Sequence, residues 1–130
     1  MRHTFRVEPA RELIVARYVG HTTVQDMKDL AERIWAHPDY NQNFNGILDY
    51  REAKLDATPD SISEIANYFL HSFEASHGRA AIVTSHPLET ALNFLFARRM
   101  ERRNMLQVFT TWTAACEFIG VEEVPDPLEP

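Results

Sequence analysis

From residue 12 onward, runs with strand character and runs with helix character take turns along this chain, and that alternation leaves very few folds open to it. Residues 3 to 8 (HTFRVE) put Phe5 and Val7 on one face, and Pro9 ends the run. Residues 12 to 19 (ELIVARYV) form a second strand. The short gap between the two suits an antiparallel hairpin. Gly20 and His21 are read as a turn and Thr22 as a helix cap, with Gln25 completing a capping box. Val24, Met27, Leu30, Ala31 and Ile34 then recur at helical spacing until Pro38. After an Asn-rich loop, residues 47 to 50 (ILDY) predict a short third strand. Thr58 and Pro59 open a helix whose inner face carries Ile62, Ile65, Ala66, Phe69 and Phe73, and Gly78 closes it. Residues 80 to 85 (AAIVTS) are almost wholly apolar, as in the middle of a parallel sheet. Pro87 begins a third helix running to Arg103, residues 105 to 110 (MLQVFT) are the last strand, and Thr111 caps a final helix ending at Gly120. Strands alternating with helices of this length mean βαβ units with right-handed crossovers. The expected fold is α/β, with a five-stranded, mostly parallel sheet, an antiparallel first strand and four helices.

A chain of 130 residues is expected to hold one domain, here residues 1 to 120, followed by an acidic, Pro-rich tail at 121 to 130. The tail holds Glu122, Glu123, Asp126 and Glu129 with no base, and without those four acids 15 acids face 13 bases. A nearly neutral body argues against nucleic-acid binding, which draws affinity from a basic excess. Pro125, Pro127 and Pro130 block regular structure, so the tail is read as a solvated, frayed end or as a segment that docks on a partner's basic patch. No apolar run has membrane-spanning length and no signal-peptide core follows the first residues, so a cytoplasmic protein is expected.

In open α/β sheets, ligands sit beyond the carboxyl ends of the parallel strands, where helix N-termini also gather. That rule nominates Gly20, His21 and Thr22 after the second strand, Asp49, Tyr50 and Arg51 after the third, Thr84, Ser85 and His86 after the fourth, and Thr110 and Thr111 after the fifth. Asp49 and Arg51 share a face in extended chain. They form either a salt bridge at the strand end or an arginine poised for an anionic ligand with Asp49 orienting it. The four hydroxyl residues are either caps or contacts to a phosphate or carboxylate. With four glycines and no Gly-rich loop, a nucleotide cradle is not expected.

The six histidines show no metal-ligand spacing, and neither metal nor cofactor is expected. No catalytic constellation is identified; a lesser alternative is a small hydrolase-type enzyme with Asp49, His21 or His86 as its acid–base groups, which requires those side chains to converge on one cleft. Cys116 reads as a buried small hydrophobe. In the third helix, Leu88, Ala91, Leu92, Leu95 and Phe96 form one stripe, flanked by Phe94 and Met100. The apolar arc is roughly 240° wide, more than a one-sided surface helix needs. Three explanations stand: a second subunit over Phe94, Phe96, Met100, Arg99 and Arg103; one wall of an apolar pocket; or cover from the fourth helix and the tail.

The runs GHTTVQDMKDLAERIWAHPDY, NGILDYREAKLDATPDSI, GRAAIVTSHPLETALNFLFARRME and VFTTWTAACEFIG resemble the bacterial SpoIIAA-like proteins of the STAS family across residues 10 to 120. The resemblance implies a superhelix of stacked βα units, a fold also likened to CRAL-TRIO lipid-binding domains. It further implies a non-catalytic regulatory or protein-interaction role. Related regulators are switched by phosphorylation of a Ser or Thr following an Asp at the start of the helix after the third strand. Here Asp49 is followed by Tyr50 and Arg51, so no phosphosite is carried over. The expectation is a homodimeric regulatory domain with a protein partner. The alternative is a binder of a small apolar or anionic ligand, its body along Phe94, Phe96 and Met100 and its head near Arg51 or the arginines at 98 to 103.

Overall fold

The computed structural model describes residues 3–72, 78–100, 105–122 and 124–128. Five strands, β1 (Thr4–Glu8), β2 (Leu13–Thr23), β3 (Asn45–Asp56), β4 (Ala80–Val83) and β5 (Leu106–Phe109), lie side by side in chain order. β1 is antiparallel to β2, and the other pairs are parallel. The helices are α1 (Val24–Trp35), α2 (Pro59–Ser72), α3 (Pro87–Arg99) and α4 (Trp112–Ile119). The expected α/β architecture is therefore present. Phe73 and the predicted extension of α3 to Arg103 lie outside the described residues.

The layering follows from chirality. The strands advance always in one direction, and crossovers of one hand then place every connecting helix on the same face. Ile14, Ala16, Tyr18, Tyr50 and Ile82 point to that face and pack under α1, α2 and α3. Leu13, Val15, Ile47, Ala81 and Val83 point the other way, against Trp112, Ala115, Cys116 and Ile119 of α4. Among the described residues no strand follows α4, which lies over the opposite face. Both faces of β4 are thus covered, which explains its unbroken apolar run.

Two boundaries differ from the sequence reading. β2 does not turn at Gly20 but continues to Thr23, and β3 runs on past Tyr50 to pair with it, from Val19↔Glu52 to Thr23↔Asp56. Thr22 is therefore buried in a strand. The helix cap is Thr23, whose Oγ1 accepts the Asp26 N–H at 3.1 Å while Asp26 Oδ2 accepts the Thr23 N–H at 2.9 Å. Residues 51–56 (REAKLD) look like loop because they are polar, yet Ala53 and Leu55 are buried and Glu52, Lys54 and Asp56 exposed. That is the period of a half-buried strand.

The third helix is also rotated from its expected setting. Leu88 is 56% exposed, whereas Glu89 (5%) and Asn93 (1%) point inward. The cause is the length of β3, which outruns β4 and leaves backbone groups without a strand partner. Glu89 Oε2 accepts the Leu55 N–H at 2.9 Å, and Ser85 Oγ donates to the Arg51 carbonyl at 3.0 Å. A buried polar requirement outranks the apolar stripe.

Candidate functional site

Two places in the fold carry site chemistry. The first is the carboxyl edge of the sheet. Arg17 pairs with Asp49 and Val19 with Glu52, so Tyr50 and Arg51 together stand opposite Tyr18, a β-bulge in β3. Alternation puts Arg51 on the α4 face with Ile47 and Asp49, and the bulge resets the strand so that Ala53 and Leu55 face α1–α3 with Tyr50. Asp49, 1% exposed, accepts from Arg51 three times: Oδ1 from the backbone N–H and from Nε, each at 3.0 Å, and Oδ2 from Nη2 at 3.1 Å. The guanidinium lies 5.2 Å from the centre of the Trp112 ring.

The tail closes this arrangement. It is not the frayed end expected from its prolines. Val124 is buried among the apolar side chains of α4, and Trp112 Nε1 donates to its carbonyl at 3.1 Å. Asp126 then accepts from both ends of the Arg51 fork, Oδ2 from Nη1 at 3.0 Å and Oδ1 from Nη2 at 2.5 Å, while Oδ1 also takes the Leu128 N–H at 2.9 Å. Prolines stop a helix or strand from forming there, but they do not stop an extended segment from docking. Arg51 thus holds one carboxylate from its own strand and one from the tail.

The Arg51 hydrogen bonds hold the Asp126 carboxyl below the usual range against the opposing effect of burial. A depressed folded value means the contact is at full strength above the ordinary aspartate pKa and is lost as pH falls through the lower one. In a Trp35→Phe background, Trp112 emission should therefore stay constant from neutrality to about pH 4 and shift red only below it. A shift starting near pH 6 would count against the Arg51–Asp126 pair as the latch.

The other expected edge residues are spread by role. Thr84 is buried and shares a 2.7 Å hydrogen bond with Thr90. His86 is the N-cap of α3 without a side-chain cap bond. Thr110 is exposed, and Thr111 caps α4 by accepting the Ala114 N–H at 3.1 Å. Gly20 and His21 stand farther out, on the β2–β3 extension. His21 lies opposite Lys54, roughly 16 Å along β3 from Asp49 at the strand rise. It bonds Asp56 at 2.9 Å on the surface, away from the strand end that precedes His86. Cys116 is buried, and burial pushes its thiol up, away from nucleophile character.

The second place is an apolar cavity of about 120 Å³ on the α1–α3 side. Tyr18, Trp35, Phe44, Phe69, Phe96 and Met100 form much of its wall. Gly46, Gly78, Arg79 and Met105 put it near the amino ends of β3, β4 and β5, at the opposite end of the strands from Arg51. Arg79 is the only charged residue among the described residues of the wall. Tyr18 stacks on Tyr50 with ring centres 4.5 Å apart, and burial raises both phenols. Phe96 and Met100 are buried inside the monomer, 6% and 3% exposed, which leaves Phe94 and Arg99 as the described surface members of the expected interface. Arg103 lies outside the described residues. The cavity combines residues from all seven strands and helices from β2 to β5 in ways that no local motif announces. The wide apolar arc of the third helix was the one signal for it.

No family profile matches the chain, and no curated protein matches it in sequence. Among solved structures, it is similar to an uncharacterised protein of the DUF3478 family with a SpoIIAA-like fold from Shewanella loihica. That likeness covers 90% of this chain and 93% of the other, with a TM-score of 0.59 and 13% sequence identity. The chain has a SpoIIAA-like fold. No helix among the described residues is long and apolar enough to cross a membrane.

Proposed function

We propose that this protein is a non-catalytic binding domain that holds a small apolar or amphipathic molecule in the cavity beneath α1, α2 and α3. The observation that carries this reading is the cavity itself: about 120 Å³, bounded largely by aromatic and thioether side chains. Apolar cavities of about this size exclude water and accept ring-sized ligands. The lining suits a ligand with an apolar body. Neither Arg79 nor Arg51 offers a free guanidinium to an anionic head: Arg79 donates Nη1 to the Phe118 carbonyl at 2.9 Å and lies over the Phe118 ring, and Arg51 already holds two carboxylates. Calorimetric titration with straight-chain carboxylates from butanoate to decanoate should show affinity rising with chain length. Ala31, buried in the wall, offers a plug. Ala31→Leu should weaken decanoate by about tenfold or more while leaving the melting temperature equal or higher. Equal affinity in both proteins, or none in either, would remove the reading.

A regulatory or protein-interaction role, as a homodimer, is the second reading, and α3 favours it. Rotation of that helix leaves Leu88 and Phe94 each 56% exposed along its outer face, with Ala91 between them and Arg98 beyond. Light scattering at micromolar concentration should then give twice the chain mass, and Phe94→Asp should return it to the monomer. A monomeric wild type sinks the dimer.

A further inference from the structure

We propose that the surface formed by Arg17, Arg51, Trp112 and the sheet-facing apolar side chains of α4 is a docking site for an acidic peptide of the form apolar–x–Asp supplied by a partner protein, and that Val124-Pro125-Asp126 occupies it in cis as a displaceable internal ligand. The seating of the tail states the recognition chemistry. One aliphatic side chain enters the apolar surface of α4, one carbonyl takes the indole N–H, and one carboxylate two residues later takes the arginine fork. These are the elements of peptide recognition by a pocket and a bidentate arginine.

The site is complete without the tail. Asp49 alone balances the charge of Arg51 and fixes the guanidinium through Nε and Nη2, so the fork is oriented before any outer carboxylate arrives. The second carboxylate is received chiefly by the Arg51 fork, whose hydrogen bonds lower the Asp126 pKa most, and Arg17 adds a smaller charge effect. Arg17 Nη2 bonds Glu52 at 2.5 Å, so its charge is shared with a surface carboxylate. The tail, by contrast, is lightly held. Beyond Gly120, which ends α4 in a left-handed turn, Val121, Asp126, Pro127 and Leu128 are half-buried, Glu122 and Pro125 are exposed, and Val124 alone among the described residues there is fully buried. Segments with so few buried contacts open locally without global unfolding. A partner segment of the same form then competes with a tethered copy whose effective concentration is about millimolar.

The test uses the full chain and a labelled peptide of the sequence VEEVPDPLEP. The Val124→Ser/Asp126→Asn variant has its internal ligand weakened and should bind the peptide roughly 10- to 100-fold more tightly than the wild type. Affinity should fall with added salt, and a peptide carrying Asn in place of the Asp126 equivalent should lose about tenfold or more. If the double variant melts early, Asp126→Asn alone is compared by the same criteria. The proposal is overturned by equal peptide affinity in variant and wild type, by undiminished binding of the Asn peptide, or by no binding to a folded variant at about millimolar peptide. Exchange of tails between two copies, seen as a swapped dimer, would overturn the cis assignment.

Discussion

Gly78→Ala is expected to be the most damaging single-methyl addition in the protein, with a loss of about 3 kcal/mol or more and a melting temperature lower by roughly 10 °C. A Cβ on Gly78 would lie 1.9 Å from the Phe44 carbonyl oxygen, 2.7 Å from its carbon and 3.3 Å from Asn45 Cα. These are backbone atoms, which no rotamer change can move. The segment also has little room to retreat. Asn45 N–H donates to the Glu12 carbonyl at 3.0 Å, Gly46 N–H to the Arg79 carbonyl at 2.8 Å, and Arg79 N–H to Asn45 Oδ1 at 2.8 Å. Relief of the clash therefore requires breaking the first rungs between β3 and β4. Gly46→Ala is the control, because its Cβ would meet only the Ile14 carbonyl oxygen at 3.9 Å, an ordinary contact. That change should alter stability by less than about 1 kcal/mol, with the reduced freedom of the unfolded chain partly offsetting any cost. Thermal melts of the two variants followed by circular dichroism decide the matter. A Gly78→Ala protein melting within a degree or two of the wild type would show that the close approach does not exist.

Asp49→Ala is expected to cost about 3 kcal/mol, for an electrostatic reason rather than a steric one. Asp49 is buried and accepts from the backbone N–H and two side-chain nitrogens of Arg51, itself only 13% exposed in its side chain. Its removal leaves a desolvated guanidinium with Asp126 as its remaining carboxylate. Asp126→Ala should cost less, about 1 kcal/mol, because Asp49 still neutralises the arginine and the tail gains freedom on release. The two losses should not add. With both carboxylates gone, the buried cation has no counter-charge, and the double variant should fall below the sum of the singles. Asp49→Leu/Arg51→Met should recover much of the loss by removing both charges together. Urea denaturation of this set gives the coupling energy. Strict additivity, or no recovery in the apolar double variant, would show that the pair is not the unit described.

What was legible in the sequence is what depends on local periodicity. The apolar spacing in α1 and α2, the uninterrupted run of β4, the Pro87 start of α3 and the Thr111 cap of α4 each express a short-range preference that the tertiary structure leaves in place. Asp49 and Arg51 were legible as a pair for the same reason, since two residues in extended chain share a side. The resemblance to SpoIIAA-like proteins, carried by the order of these elements, anticipated the fold that the structural likeness supports.

Where sequence reasoning missed, the missing term was always a partner distant in the chain. Residues 51–56 become strand because β2 supplies a ladder for them. Glu89 turns inward because the Leu55 N–H lacks a strand partner, and α3 rotates with it, taking Leu88 to the surface. The cavity is bounded by side chains from helices and strand ends that no window of sequence contains together. The tail is proline-broken and acidic, so every local measure marks it as solvated. It docks because Arg51, 75 residues earlier, has half of its fork unfilled. The chain by itself determined which segments are helix and strand and in what order they stack, because backbone propensity and apolar period act within a few residues. Only the tertiary structure decided which polar groups are buried, where the core is left hollow and what the tail holds, because those follow from hydrogen bonds and charges that must be satisfied across the fold once water is excluded.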